Sequence, residues 1–472
     1  MLILKKRIKI AYIGGGSKLW ARVFMNDLAL TKELEGEIAL YDIDKEAAIR
    51  NMKIGEIINN HPNTVSKWDY KVYDDVEAAL LGATFVVMSI LPGTFEEMRS
   101  DVHLPEEYGI YQSVGDTCGP GGILRAMRTV PIYQEYAKKI EECCPNAWVM
   151  NFTNPMSICV KTLYDTFPKI KAFGCCHEVF HAQDFLCVVA KEELGIELPD
   201  RHEIYTDASG VNHFTWITEA KYKDIDLLKL LPSFEKKFYE RGYCTEIGLN
   251  WDAFKSDVFQ CGNKVKCDLF NRYGALGAAG DRHLVEFLNG DWYLKDPETV
   301  KNWQFHLTTV DYRINNMNQE IEKSYKMISK EIPVEVIKSQ EEAIDLMKAI
   351  LGFEVKVSNV NMPNMGQMPQ MPLGSIVETN CVFTNDCVKP VVANLLPQGV
   401  KNLVYRCLVN IDDCYEGIKE RNLNKVFNSF MNQALCSKLS LEDGKNLFKK
   451  MIINTRKYLD KYYDIDEFLT NF

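Results

Sequence analysis

The apolar run Arg7–Ile13 breaks directly into Gly14-Gly15-Gly16-Ser17, and a helical stretch, Lys18–Leu30, follows it. A buried strand that turns through glycines into a helix is the opening unit of a parallel sheet, because a parallel neighbour needs a helical crossover to return the chain. The alternation continues for about 200 residues. Glu37–Tyr41 reads as the next strand and ends at Asp42, a helix closes at Ala79–Gly82, and Thr84–Ile90 is a third clear strand. A helix over about Ile132–Cys143, a strand over Ala147–Phe152, the helical stretch Met156–Thr166 and the strand Lys169–Gly174 complete the series. This pattern predicts an α/β fold: a Rossmann-like, doubly wound parallel sheet over residues 1–200.

After residue 205 the pattern changes. Val211–Glu219 and Ile376–Phe383 read as antiparallel strands, and long helical stretches occupy about 300–350 and 398–464. Residues 201–472 are therefore expected to form a second, α+β domain packed on the first. The Met- and Pro-rich Asn361–Pro372 reads as a loop by composition, and its methionines as packing rather than a soft-metal site. A net charge of −10 with no dominant basic patch argues against nucleic acid as a partner. No run approaches the ~18 apolar residues of a membrane span. The first residues carry no secretion signal, so the fifteen cysteines are expected as reduced thiols in a cytoplasmic protein.

The glycine turn has a chemical use. Glycines at 14 and 16 let the backbone approach a pyrophosphate, and Ser17 leads into a helix whose free N–H groups favour anions. Leu19 occupies the place of the third glycine of the full G-x-G-x-x-G pattern. Asp42 lies 26 residues after Gly16, at the end of the second strand. There its carboxylate can accept both ribose hydroxyls of NAD; its alternative role is a helix N-cap, which Asp44 could also fill. Asn154 precedes a proline at the same sheet edge, as a cleft-facing amide or a turn residue.

Two further stretches offer metal ligands: Gly174-Cys175-Cys176-His177-Glu178 and Gly210-Val211-Asn212-His213-Phe214. Cys176 and His213 lie too far apart for a zinc finger, and two protein ligands would leave positions open for a chelating substrate. His177, His181 and His202 are competing ligands, and a packed structural role is open for each.

The chain as a whole resembles the NAD- and Mn-dependent family 4 of glycoside hydrolases. The matching pieces are IGGGS (13–17), LYDID (40–44), VGDTCGPGGILRAMRTVP (114–131), NFTNP (151–155), GCCHE (174–178), GVNHF (210–214), YGALGAAGDRHLVEF (273–287) and MPLGSIVETNCVF (371–383). The CCHE, GPGG and GDRHLVEF versions look most like its α-galacturonidase branch. The resemblance implies cleavage of an α-glycoside without the usual carboxylate pair. NAD oxidises C3 of the sugar, a base removes the acidified C2 proton, the C1 leaving group is eliminated, water adds, and the hydride returns. It places the metal on Cys176 and His213, a substrate contact on Asn154 and the C2 base on Tyr273, whose alternative is a buried aromatic. His177 stands where some branches carry an aspartate acid and is the candidate acid here. Gly277 stands where a proline is expected.

Arg282 and His283 could bind a uronate carboxylate, since arginine pairs with carboxylates through two parallel hydrogen bonds; the alternative for Arg282 is a surface ion pair with Asp281. The expected substrate is a small glycoside or oligo-uronide, and the expected assembly a homodimer or homotetramer. Competing readings are a lactate/malate-type dehydrogenase, which would have no use for Cys176 with His213, a nucleotide-sensing protein, and an α-glucosidase or α-galactosidase of the same family.

Overall fold

The computed structural model describes residues 5–472. Its strands, numbered in chain order, are β1 (Lys6–Ile13), β2 (Leu34–Tyr41), β3 (Trp68–Val72), β4 (Phe85–Met88), β5 (Trp148–Asn151), β6 (Lys171–Gly174), β7 (Ile204–Val211), β8 (Phe214–Tyr222), β9 (Ile225–Asp226), β10 (Leu276–Gly277), β11 (Lys356–Pro363), β12 (Ile376–Thr384) and β13 (Cys387–Pro390). The first six are parallel, in the order 3-2-1-4-5-6. This is the doubly wound order, with its switch point between β1 and β4. Every residue of β4 is buried, as expected for a central strand covered on both faces. On one face Ile10, Ile38 and Phe85 pack with Leu28 and Ile54 of the helices Trp20–Ala29 and Lys45–Asn59. On the other, Ala11, Val86 and Val149 meet Tyr133, Ala137 and Leu163 of the helices Gly119–Cys143 and Met156–Thr166.

The later strands do not form a separate layer. β11 pairs antiparallel with β6 through Asn361 and Gly174, and β12, β7, β8 and β10 follow, so one thirteen-stranded sheet runs through both regions. Asn361–Pro363 complete β11, so the loop expected from residue 361 starts three residues later. The run Val211–Glu219 is two strands rather than one: β7 and β8 form a hairpin closed by Asn212-His213, with Val211 opposite Phe214. His213 takes a left-handed φ of 63°, uncommon for a residue with a Cβ. β3 alternates buried Trp68 and Tyr70 with exposed Asp69 and Lys71, so no continuous apolar run marks it in the sequence.

The helix expected from Ile132 begins at Gly119. Its first turns fit closely against the preceding loop: a Cβ at Gly121 would lie 2.5 Å from the Gly115 carbonyl oxygen. Glycines and Pro131 hid this helix from propensity, although tertiary packing favours it. Helices Gln398–Lys419, Leu423–Met431 and Leu441–Leu459 pack around its buried face in one apolar core. Among the described residues no helix is long and apolar enough to cross a membrane.

Candidate active site

The glycine turn and Asp42 meet at the carboxyl end of the parallel strands. The Gly16 N–H donates to Asp42 Oδ2 (2.8 Å), and the Asp44 N–H donates to Asp42 Oδ1 (2.9 Å). Asp44, not Asp42, caps the next helix, accepting from the Ala47 N–H. Asp42 is thus held beside the glycine turn. Buried Asn51 fixes the turn from below, donating to the Gly15 and Ser17 carbonyls (2.8 Å each). Gly14 has φ 91°, and a Cβ there would lie 2.0 Å from the Ser89 carbonyl oxygen. The helix Trp20–Ala29 has no side-chain cap at Leu19, so its first N–H groups are free to face an anion. These residues fit a dinucleotide.

The metal-ligand candidates gather along the same edge. β6 ends at Gly174 and delivers Cys176, which is buried; the turn of the β7–β8 hairpin delivers Asn212 and His213 beside it. The Thr117 hydroxyl lies 2.8 Å from Asp116 Oδ1 and 2.9 Å from His213 Nδ1. Burial favours a neutral Asp116, but Arg125, Arg313, His213 and His283 around it hold its carboxyl well below the usual range. An ionised Asp116 only accepts, so the Thr117 hydroxyl donates to it. His213 Nδ1–H must then donate to Thr117, leaving the Nε2 lone pair free. Burial also pushes the His213 pKa down, which keeps the ring in the neutral form that a metal needs.

Burial, with Glu378 and Glu178 nearby, pushes the Cys176 thiol well up. A cation is what such a thiol lacks to become a thiolate. Asn154 Oδ1 and both amide atoms of Asn212 are buried with no hydrogen-bond partner. A thiol, a neutral imidazole and unpaired amide oxygens in one buried group fit a divalent metal with open positions.

Glu178 ties this group to a second one. Its Oε2 accepts from the Gly280 N–H (2.7 Å), and its Oε1 lies 3.4 Å from His283 Nε2 and 3.8 Å from His177 Nε2. Burial would raise its pKa, but His283, His181, His177 and His213 hold it well below the ordinary value. His177, Glu178 and His181 each offer a ligand atom within 4.8 Å of the others. The His283 ring lies 4.1 Å from His213, and His177 stacks at 5.6 Å on Trp20, the first residue of the helix after the glycine turn. Cys176, His177, His213 and His283 thus come together. His202 instead lies on the exposed side, paired with Asp200 (2.6 Å).

Arg282 is half-buried and makes no ion pair among the described residues. Asp281 is fully buried and accepts from the Val265 and Lys266 N–H groups at the start of the helix Lys264–Tyr273, so the two do not form a surface pair. Arg282 donates to Thr308 Oγ1 (3.0 Å) and lies 4.5 Å from the Phe259 ring centre. Arg125 donates to the Asn154 carbonyl (2.9 Å), and Arg313, from the helix Val310–Ile328, donates to the Val114 carbonyl (3.2 Å) while its Nε is buried and unpartnered. Arg125 and Arg313 thus converge on the ionised Asp116, and Arg282 lies near Arg313.

Tyr273 closes the helix whose first turn Asp281 caps, about 14 Å further along the axis. Its ring stands edge-on to Trp216 and against Gly399. Glu178, Asp116, Thr117 and Arg125 sit inside the motifs quoted above, yet nothing local distinguishes them from packing residues. Glu378 likewise sits inside a quoted motif, MPLGSIVETNCVF (371–383), whereas Arg313 lies outside all of them and could be found only by folding.

The sequence matches the description "Family 4 glycosyl hydrolase" over residues 9–192 and "Family 4 glycosyl hydrolase C-terminal domain" over 208–436. It is 51% identical over 452 residues to an alpha-galacturonidase of Thermoanaerobacter italicus, covering 96% of this chain and 97% of that one. The crystal structure of lplD from Bacillus subtilis superposes with a TM-score of 0.88 at 44% identity, over 94% of this chain and 99% of the other. A 6-phospho-alpha-glucosidase from gut microorganisms, solved in complex with NAD and Mn2+, shares the fold at 18% identity, with a TM-score of 0.77 over 96% and 99% of the two chains.

Proposed function

Because the chain belongs to family 4 of the glycosyl hydrolases and is a glycoside hydrolase, we propose that it cleaves α-galacturonides with NAD and a divalent metal such as Mn2+. The observation that carries this reading is the dinucleotide cradle and the Cys176–His213 group on one sheet edge, with Arg125 and Arg313 beside its ionised Asp116. Relatives solved with NAD and Mn2+ support the cofactors, and those described as alpha-galacturonidases support the substrate.

Bound there, the two groups supply a reversible hydride acceptor and a Lewis acid. The protein's part is placement and charge. Gly14, Gly16 and Ser17 receive the pyrophosphate, and Asp42 turns from the Gly16 N–H to the ribose hydroxyls. Cys176 and His213 hold the metal, with His213 oriented by Thr117 and Asp116. Asn154 and Asn212 offer amides to the sugar hydroxyls, which are the partners they lack. Arg282 takes the uronate carboxylate, with His283 beside it. His177, at the rim of the group and partly exposed, is placed to protonate the leaving oxygen. Tyr273 carries the C2-base role by resemblance.

The test is turnover of aryl α-galacturonide, α-galactoside and α-glucoside in D2O with NAD, Mn2+ and a thiol reductant. Cleavage of the galacturonide with deuterium at C2 of the product, and none in Tyr273→Phe, is the expected result. Cleavage without C2 deuterium would remove the redox mechanism. Stoichiometric NADH would instead support a dehydrogenase, and preference for a neutral sugar would move the chain to another branch. A Tyr273→Phe variant that still incorporates deuterium would remove that residue as the base.

A further inference from the structure

The residues after Cys176 read His177-Glu178-Val179-Phe180-His181, an H-E-x-x-H spacing. On a helix this spacing sets two imidazoles on one face, where they can share a metal ion. The structure keeps that register: the His181 N–H donates to the His177 carbonyl (3.2 Å), and His177 is the N-cap of the helix Glu178–Leu194. The two rings lie 4.8 Å apart. In zinc peptidases the glutamate of this spacing activates water. Here the Gly280 N–H takes Glu178 Oε2, and Oε1 turns to the histidines, 3.8 Å from His177 Nε2. Donor atoms around one tetrahedral zinc stand about 3.3 Å apart, so the three residues, already within 4.8 Å of one another, need only a small closure. His181 can supply it, because its side chain is exposed and makes no hydrogen bond among the described residues.

Two features call for a cation. Glu178 is buried, and no lysine or arginine pairs with it among the described residues. A buried carboxylate without a cation is costly. The second nitrogen of His177, Nδ1, faces Glu341 Oε1 at 3.5 Å. Metal-bound histidines commonly carry a carboxylate there, because it holds the proton on that nitrogen and turns the other lone pair to the ion. With the proton on Nδ1, His177 Nε2 and Glu178 Oε1 face each other as two acceptors, an arrangement that a cation between them relieves. Two imidazoles and one carboxylate bind zinc more tightly than manganese, which stands lowest in the ordinary affinity order.

We propose that His177, Glu178 and His181 form a second metal site, selective for zinc over manganese and sharing no ligand with Cys176 and His213, and that zinc bound there inhibits the enzyme by occupying His177. The inhibitory half rests on the α-galacturonide reading, in which His177 protonates the leaving oxygen; the binding half does not.

Zinc content tests the binding half without turnover. NAD- and Mn2+-loaded protein is equilibrated with micromolar Zn2+, desalted and analysed for both metals. Wild type should retain one zinc per chain more than His181→Asn, whether or not zinc also replaces manganese at Cys176 and His213. His202→Asn, which removes an exposed imidazole outside the group, should retain as much as wild type. Equal zinc in wild type and His181→Asn, or an equal loss in His202→Asn, overturns the site. Turnover tests the inhibitory half. With Mn2+ in excess, zinc should inhibit aryl α-galacturonide cleavage by the wild type. The half-inhibiting concentration should rise roughly tenfold or more in His181→Asn, whose kcat/KM without zinc stays that of wild type. The same inhibition in both proteins overturns the regulatory role even where the extra zinc is bound. A protein that binds the extra zinc but cleaves no α-galacturonide would remove that reading, and the inhibitory role with it, while the zinc site stands.

Discussion

Glu286 is fully buried and accepts from the Val114 (2.7 Å) and Gly115 (2.9 Å) N–H groups, so it anchors the loop that presents Asp116 and Thr117. Burial raises its pKa from 4.5 to about 7; the two N–H groups oppose that shift without cancelling it. A carboxyl raised on folding keeps its proton longer in the native state than in the unfolded chain. Its contribution to stability is therefore fully present below pH 4.5 and is lost as pH rises through about 7. Integrating between those two values, the loss from pH 5 to pH 8 is roughly 2.5 kcal/mol. In Glu286→Gln the oxygen that accepts from both N–H groups is kept and the titration is gone. Thermal midpoints of wild type and variant, followed by fluorescence from pH 5 to 8, should diverge in the variant's favour. For a chain of this size the divergence is about 2–3 °C. Midpoints that run parallel over the whole range would refute the reasoning, because every other titrating group is shared.

Gly14→Ala places a methyl carbon 2.0 Å from the Ser89 carbonyl oxygen at a φ of 91°, so the backbone must move; NAD affinity measured by calorimetry should collapse. Gly82→Ala, with φ 73° and open space around it, should cost only the left-handed penalty of about 1–2 kcal/mol and leave NAD affinity unchanged; similar affinities in the two would show that the cradle does not depend on close approach. Cys176→Ser should lose most bound metal by elemental analysis and most activity with it, whereas unchanged metal content with full activity would end its role as a ligand. Arg282→Ala should lower kcat/KM for an α-galacturonide by about a hundredfold, the loss of a charge-assisted pair, and change neutral glycosides little. Equal losses on both would remove Arg282 from sugar selection.

The sequence by itself determined the elements whose cause is local. β1 with its glycine turn, β4, the helix Met156–Thr166 and the strand before Cys176 follow from apolar runs and chain-reversing residues that need no distant partner. Asp42 was legible for the same reason, because strand length alone places it level with the glycines. Family 4 was legible through short motifs in a fixed order.

Tertiary structure alone decided the rest. The hairpin at Asn212-His213 has no glycine or proline to mark it, and it holds because β12 and β8 pair on either side of β7. The helix start at Gly119 runs against propensity and is fixed by the close approach of Gly121 to Gly115. The tautomer of His213 depends on Thr117, 96 residues away, and the ionised state of Asp116 on Arg313, far from Arg125 in the chain. Such groups acquire their charge state from desolvation and from neighbours that the fold brings together, and neither is a property of sequence position. That is why the chain announced a dinucleotide turn and two metal-ligand stretches, while their mutual orientation came only from folding.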